Sequence, residues 1–226
     1  MNTNEAIYER KETILPQPKA IIFDLDGTLV DVAQFYADVY TGTLVELVRS
    51  VKGEEGVKTL WERERLDGKG ELTLMAIGIP FRAWAQKLID APLGFVTPRP
   101  DIVASIRAIS ARKVIFTGSP VGMAYRVLDR MGFAPRSDFD LIIGWKEPEL
   151  FPLKWNNSSF VFESVTALFD CDPKEVWSVG DSWETDLEPA KRLGITTIQI
   201  RKTIGSPDFR FPDIETLFST FQTQQP

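Results

Sequence analysis

Apolar residues fall into two patterns along this chain. Short, nearly unbroken runs at Ala20-Ile21-Ile22-Phe23, Val114-Ile115-Phe116, Val176-Trp177-Ser178-Val179 and Thr196-Thr197-Ile198-Gln199-Ile200 predict strands buried on both faces of a sheet. Residues 139–143 form a further candidate strand. Between these runs, apolar positions recur at helical spacing through residues 102–109, 121–131, 158–169 and 213–221, and around Ala190 and Leu193. Gly132 and Gly194 mark helix ends. Asp101 and Ser119 read as helix N-caps, with Pro120 as a first helical residue. Strand alternating with helix predicts an α/β fold, a doubly wound parallel sheet joined by right-handed crossovers.

One segment departs from that alternation. Residues 31–97 carry helical periodicity throughout, as at Val32, Phe35, Tyr36, Val39, Leu47, Val48 and Val51, and show no buried strand. A first helix is expected to break at Lys52-Gly53-Glu54-Glu55-Gly56 and a second, through Val57, Leu60, Trp61 and Leu66, to end at Asp67-Gly68-Lys69-Gly70. Two further helical pieces cover residues 72–77 and 81–89. The expected organisation is a polar N-terminal tail at 1–19, an α/β core from 20–30 and 98–226, and a helical cap at 31–97 inserted into it.

Composition narrows the chemistry. A net charge of -6 argues against nucleic acid or an anionic membrane as partner, and no uncharged run is long enough to span a bilayer. Cys171 is the single cysteine, so an internal disulfide and a thiolate metal cluster are excluded, which fits the cytoplasm. Histidine is absent, and acid/base work near neutral pH therefore falls to carboxylates or lysine.

The strand ends supply such groups. The first runs into Asp24-Leu25-Asp26-Gly27-Thr28-Leu29, the second into Thr117-Gly118-Ser119, and the fourth into Gly180-Asp181 with Asp186 beyond. In open α/β sheets ligands bind just past the carboxyl ends of strands. Asp24 and Asp26, two residues apart, are expected to point the same way, and like charges held so close call for a cation. Asp-x-Asp-Gly is also compatible with a plain surface turn. The amides beside Thr117 suit a phosphate at a helix N-terminus.

Taken in order, these strand ends resemble the motifs of the haloacid dehalogenase superfamily, mostly phosphatases and phosphotransferases. Asp24 to Leu29 is similar to its first motif, Thr117 to its second, and Gly180, Asp181 and Asp186 to its fourth. For the third motif, a lysine, Lys154 has Phe160 at the family's spacing but Trp155 where a proline is common, and Lys146 lies too close to its strand. Gly118 stands where the family commonly has asparagine.

The resemblance implies a Rossmannoid core with the small helical cap of the first subclass, and a Mg²⁺-dependent phosphatase. It implies Asp24 as the nucleophile that forms an aspartyl-phosphate, and Asp26 as general acid and base. Mg²⁺ is expected on the Asp24 carboxylate, the Asp26 backbone carbonyl and Asp181. Asp186 is expected to ligate or, preferably, to orient Lys154 or a metal-bound water, while Thr117, the Gly118 amide and Lys154 hold the phosphoryl group. An alkoxide leaving group needs a proton, and by this resemblance the acid at Asp26 separates this chain from the superfamily's dehalogenases, which lack it. The expected partner is a small phosphorylated metabolite, with the oligomeric state open. A phosphomutase or phosphonate-cleaving enzyme on the same core, or a non-enzymatic binding protein on a retained fold, are the alternatives. Trp61, Phe81 and Trp84 of the cap are expected to pack helices, and Arg63, Arg65 and Lys69 to form a solvated charge run.

Overall fold

A computed structural model describes residues 14–33, 41–67, 74–145, 154 and 159–224. Six strands form one sheet in which every neighbouring pair is parallel: β1 (Ala20–Phe23), β2 (Arg112–Pro120), β3 (Leu141–Trp145), β4 (Val176–Gly180), β5 (Thr196–Ile200) and β6 (Phe209–Phe211). Their order is β3-β2-β1-β4-β5-β6. The chain therefore lays down β2 and β3 on one side of β1, then returns to its other side for β4, β5 and β6. That reversal opens a crevice past the carboxyl ends of β1, β2 and β4.

The named helices among the described residues are, in chain order, α1 (Thr41–Asp67), α2 (Phe81–Asp90), α3 (Pro100–Ala108), α4 (Val121–Met131), α5 (Pro135–Asp138), α6 (Phe160–Leu168), α7 (Glu188–Arg192) and α8 (Ile214–Thr223). All four residues of β1 are buried, and their alternation sorts them into two layers. Ile21 and Phe23 join Trp177, Ile198, Leu217, Phe218 and Phe221 on one face. Ala20 and Ile22 join Phe116, Val161, Phe162 and Val165 on the other. Edge-to-face rings lock both layers, with centroids 4.9 Å apart for Trp177 and Phe221 and 5.7 Å apart for Phe116 and Phe162.

Between β1 and β2 the elements α1 and α2 are helical, and no strand interrupts them among the described residues. The expected break in the first of them is a kink inside α1, where Gly53 takes φ 67 and ψ -165. Residues 34–40 and 68–73, which include Phe35, Tyr36, Val39 and Lys69, lie outside the described residues. The insert docks on the core where the end of α2 meets α4. Arg126 Nη1 donates to the Ile89 and Ala91 carbonyls, the latter at 3.1 Å, placing a cation on carbonyls that a helix C-terminus leaves open.

Several local expectations change. Pro100 occupies the first turn of α3 and Arg99 caps it, so Asp101 sits inside the helix and instead accepts from the Arg99 guanidinium at 3.0 Å. Ser119 is no N-cap: β2 continues to Pro120, which pairs with Trp145 after a register shift and itself caps α4. Trp84 is buried, as packing between helices requires, whereas Trp61 is 42% exposed. The side chains of Phe81 and Arg65 lie outside the described residues. Of the N-terminal stretch, residues 14–19 lie against the core: Leu15 is buried, its amide donates to Gln224 Oε1 at 3.0 Å, and the Lys19 amide donates to the Glu175 carbonyl at 2.7 Å.

Candidate active site

The crevice gathers carboxylates from two strand ends. β1 stops at Phe23, and the Asp24 amide still donates to the Val179 carbonyl at 2.9 Å, which holds Asp24 in line with β4. The chain then turns tightly: the Leu29 and Val30 amides both return to the Leu25 carbonyl, and Gly27 supports the turn at φ 89. This turn brings Thr28, fully buried, back onto Asp24, where its hydroxyl donates to Oδ2 at 2.7 Å.

Lys154 supplies the other partner of Asp24. Its buried ammonium donates to Asp24 Oδ1, to the Phe116 carbonyl at 2.9 Å, and forms an ion pair with Asp186 Oδ1 at 2.9 Å. The ammonium also lies 5.4 Å from the centroid of the Phe116 ring. Lys146, the other lysine weighed for this place, lies outside the described residues.

The fourth strand end is shaped by glycine and by a turn of π-helix at Trp183–Leu187. A Cβ at Gly180 would lie 2.4 Å from the Asp186 Cβ, so only glycine lets Asp186 fold back over the strand end. Asp186 Oδ2 accepts from the Ser182 amide at 3.0 Å, and Ser178 Oγ donates to the Asp186 carbonyl at 2.7 Å. Asp181 reaches toward the crevice and pairs with Lys202 at 2.6 Å.

One carboxylate oxygen each from Asp24, Asp181 and Asp186 lies within 4.8 Å of the others. Burial, first of all, pushes the Asp24 carboxyl well above the usual range; Lys154 opposes that shift, and the charges of Asp186, Asp181 and Asp26 reinforce it. Burial likewise raises Asp181, against the pull of Lys202. For Lys154, burial works to lower the pKa, but Asp186 and Asp24 outweigh it and hold the ammonium charged. Negative charge is thus in excess in the crevice, and its donors are all hard oxygens. Ligands of a small divalent ion lie about 3 to 4.2 Å apart, so this set could hold one after a small contraction.

Asp26 leaves the turn on a different path. Rather than sharing the partners of Asp24, its Oδ2 accepts from the Thr117 hydroxyl at 2.8 Å and from the Ser119 hydroxyl at 2.7 Å, both on β2. Gly118 between them gives its carbonyl to the Trp145 indole at 2.7 Å. The Ser119 amide donates to Thr117 Oγ1 at 2.9 Å and so is not free for a ligand.

The sequence reading did not single out Ser119, Thr28 or Lys202 for the site. Lys202 closes a three-residue turn centred on Arg201, where φ is 63 and the Lys202 amide donates to the Ile200 carbonyl at 2.7 Å. That sparsely populated backbone brings the lysine back over Asp181, while Arg201 Nη1 donates to the Gly27 carbonyl at 3.2 Å. A non-glycine residue at positive φ leaves no mark in the sequence.

Residues 18–194 match the family model described as haloacid dehalogenase-like hydrolase. The chain belongs to this family. Two curated relatives are phosphoglycolate phosphatases. That of Aquifex aeolicus is 25% identical over 192 residues, covering 79% of this chain and 83% of the relative. That of Rhodospirillum rubrum is 28% identical over 208 residues, covering 80% and 78%. Among solved structures, CbbY from Rhodobacter sphaeroides in complex with phosphate superposes with a TM-score of 0.62 at 16% identity, covering 91% of this chain and 99% of that one. This likeness carries the fold of the hydrolase. The names of both relatives agree with the phosphoric monoester hydrolase expected from the acid at Asp26.

Proposed function

We propose that this hydrolase is a Mg²⁺-dependent phosphatase of small phosphorylated metabolites that works through an aspartyl-phosphate on Asp24. The observation that carries this reading is Asp24 itself: a buried carboxylate, fixed by Thr28 and Lys154, beside the carboxylates of Asp181 and Asp186. So much negative charge disfavours a phosphate dianion unless a cation joins it. Asp24, Asp181 and the Asp26 backbone carbonyl would hold Mg²⁺, with Asp186 as ligand or as the group that orients Lys154. The ion would neutralise phosphoryl oxygens and align them for attack.

The chain's own groups divide the remaining work. A carboxylate oxygen of Asp24 forms a bond to phosphorus while the bond from phosphorus to the leaving oxygen breaks, and Asp26 delivers a proton to that oxygen. Thr117, the Gly118 amide and Lys154 hold the other phosphoryl oxygens. In the second half, Asp26 takes a proton from water, the water oxygen attacks phosphorus, and Asp24 leaves as a free carboxylate with inorganic phosphate released. The helical insert at 31–97 acts as a cap over this crevice, against a core formed by 20–30 and 98–226. No helix among the described residues is long and apolar enough to cross a membrane.

Phosphate release from a panel of phosphorylated metabolites, beginning with 2-phosphoglycolate for which both relatives are named, tests this reading. Turnover that vanishes in chelator and returns with Mg²⁺ is expected. Full turnover after metal stripping, or isomerised sugar phosphate in place of free phosphate, would overturn it.

A further inference from the structure

We propose that Ser119 is a positioning residue for Asp26, holding the proton-transfer carboxylate in place when substrate draws Thr117 away. The inference rests on the phosphatase reading above. Asp26 Oδ2 has two hydroxyl donors, and each has a single proton to give. Thr117 Oγ1 accepts from the Ser119 amide and spends its own proton on Asp26. If Thr117 turns that proton to a phosphoryl oxygen, its bond to Asp26 is lost. The Ser119 hydroxyl then becomes the remaining side-chain donor to Asp26 among the described residues.

The strand is built to keep Ser119 where it is. Across the irregular end of β2, residues 117 and 119 both bring their hydroxyls to the same Asp26 oxygen. β3 presses against the backbone there: a Cβ at Gly144 would lie 2.5 Å from the Ser119 carbonyl oxygen, and the Trp145 indole holds the Gly118 carbonyl. The helix that follows starts only after Pro120, which leaves the Ser119 side chain free of capping duty and available to Asp26. Its hydroxyl serves the carboxylate rather than the helix.

The test is Ser119→Ala beside Ser119→Thr, with melting curves to establish folding. For alkyl phosphates, whose leaving oxygen needs a proton, Ser119→Ala should lower kcat roughly 10-fold with KM little changed; for 4-nitrophenyl phosphate, which leaves unprotonated, the loss should stay below about 2-fold. Ser119→Thr, which keeps the hydroxyl, should recover most of the alkyl-phosphate rate. In crystals of Ser119→Ala grown with inorganic phosphate, which draws the Thr117 hydroxyl to itself, the Asp26 side chain should leave its single position beside Thr117. Equal losses for both substrate types, no loss for either, or an unmoved Asp26 carboxylate would overturn the role. Should the wild-type enzyme release phosphate from no monoester, the phosphatase reading falls by itself, and the position of Asp26 in the variant still decides this one.

Discussion

A Cβ placed on Gly27 would lie 2.8 Å from Asp181 Oδ2, closer than real contacts allow, so the turn after β1 and the strand end of β4 touch through a missing side chain. Gly27 also needs φ 89. Gly27→Ala therefore strains the turn and pushes Asp181 out of its place at once. We expect the variant to fold with a lowered melting temperature and to bind Mg²⁺ at least 10-fold more weakly by calorimetry, an effect of the size seen when a metal ligand is misplaced. Wild-type affinity would remove Asp181 from the metal site.

Asp24→Asn should abolish turnover, because an amide is not a useful nucleophile. The same change should not cost stability. Burial and three neighbouring carboxylates raise the Asp24 carboxyl in the folded state, so ionising it opposes folding as pH rises above its ordinary range of about 4. Asparagine keeps the shape without the charge. A melting temperature equal to or above wild type at pH 7, with turnover gone, is the expected pair of results; a steep fall in melting temperature would mean that the Lys154 pair outweighs the crowding.

How much of this was legible beforehand depends on where the information lies. Buried parallel strands must be apolar on both faces, so Ala20–Phe23 and Val176–Gly180 stand out as runs, and the acids following them mark the crevice. β6 gave no such signal: Phe209–Phe211 is three half-buried residues at the sheet edge, too short for a period. Thr117-Gly118-Ser119-Pro120 read locally as a helix start, yet pairing to Trp145 and the demand of Asp26 for hydroxyls draw it into the strand. The spacing to Phe160 points to Lys154, which lies against Asp24, whereas Ser119 and Lys202 reach the crevice only because strands remote in sequence come together.

Asp181 and Asp186 differ in what surrounds them, and their variants should differ accordingly. Asp181 is held by one exposed lysine, Lys202, and Asp186 by Lys154, the Ser182 amide and the close approach of Gly180. Asp181→Ala should raise the Mg²⁺ concentration needed for activity steeply. Asp186→Ala should lower kcat by roughly 10-fold to 100-fold through a displaced Lys154, and should also lower the melting temperature by loosening the π-turn. A larger loss of metal affinity at Asp186 than at Asp181 would exchange their roles.

Asp208 offers a test of how the far edge of the sheet is fastened, away from the crevice. Its carboxylate accepts from the Thr197 amide at 2.9 Å, the Thr197 hydroxyl at 2.7 Å and the Lys191 ammonium at 2.9 Å, tying the chain just before β6 to the start of β5. Partial burial works to raise its pKa, but the Thr197 amide, Lys191 and the Thr197 hydroxyl together win and lower it. A carboxyl lowered in the folded state stabilises the fold above its unfolded pKa of about 3.9, and that contribution is lost as pH falls through the lower folded value. Because the side chain is part exposed, Asp208→Ala should cost about 1 kcal/mol at pH 7, or roughly 2 to 4 °C in melting temperature. The gap to wild type should stay level from pH 7 to pH 5 and close below about pH 4. A gap that stays open in acid would show that Asp208 acts through packing and not through its charge.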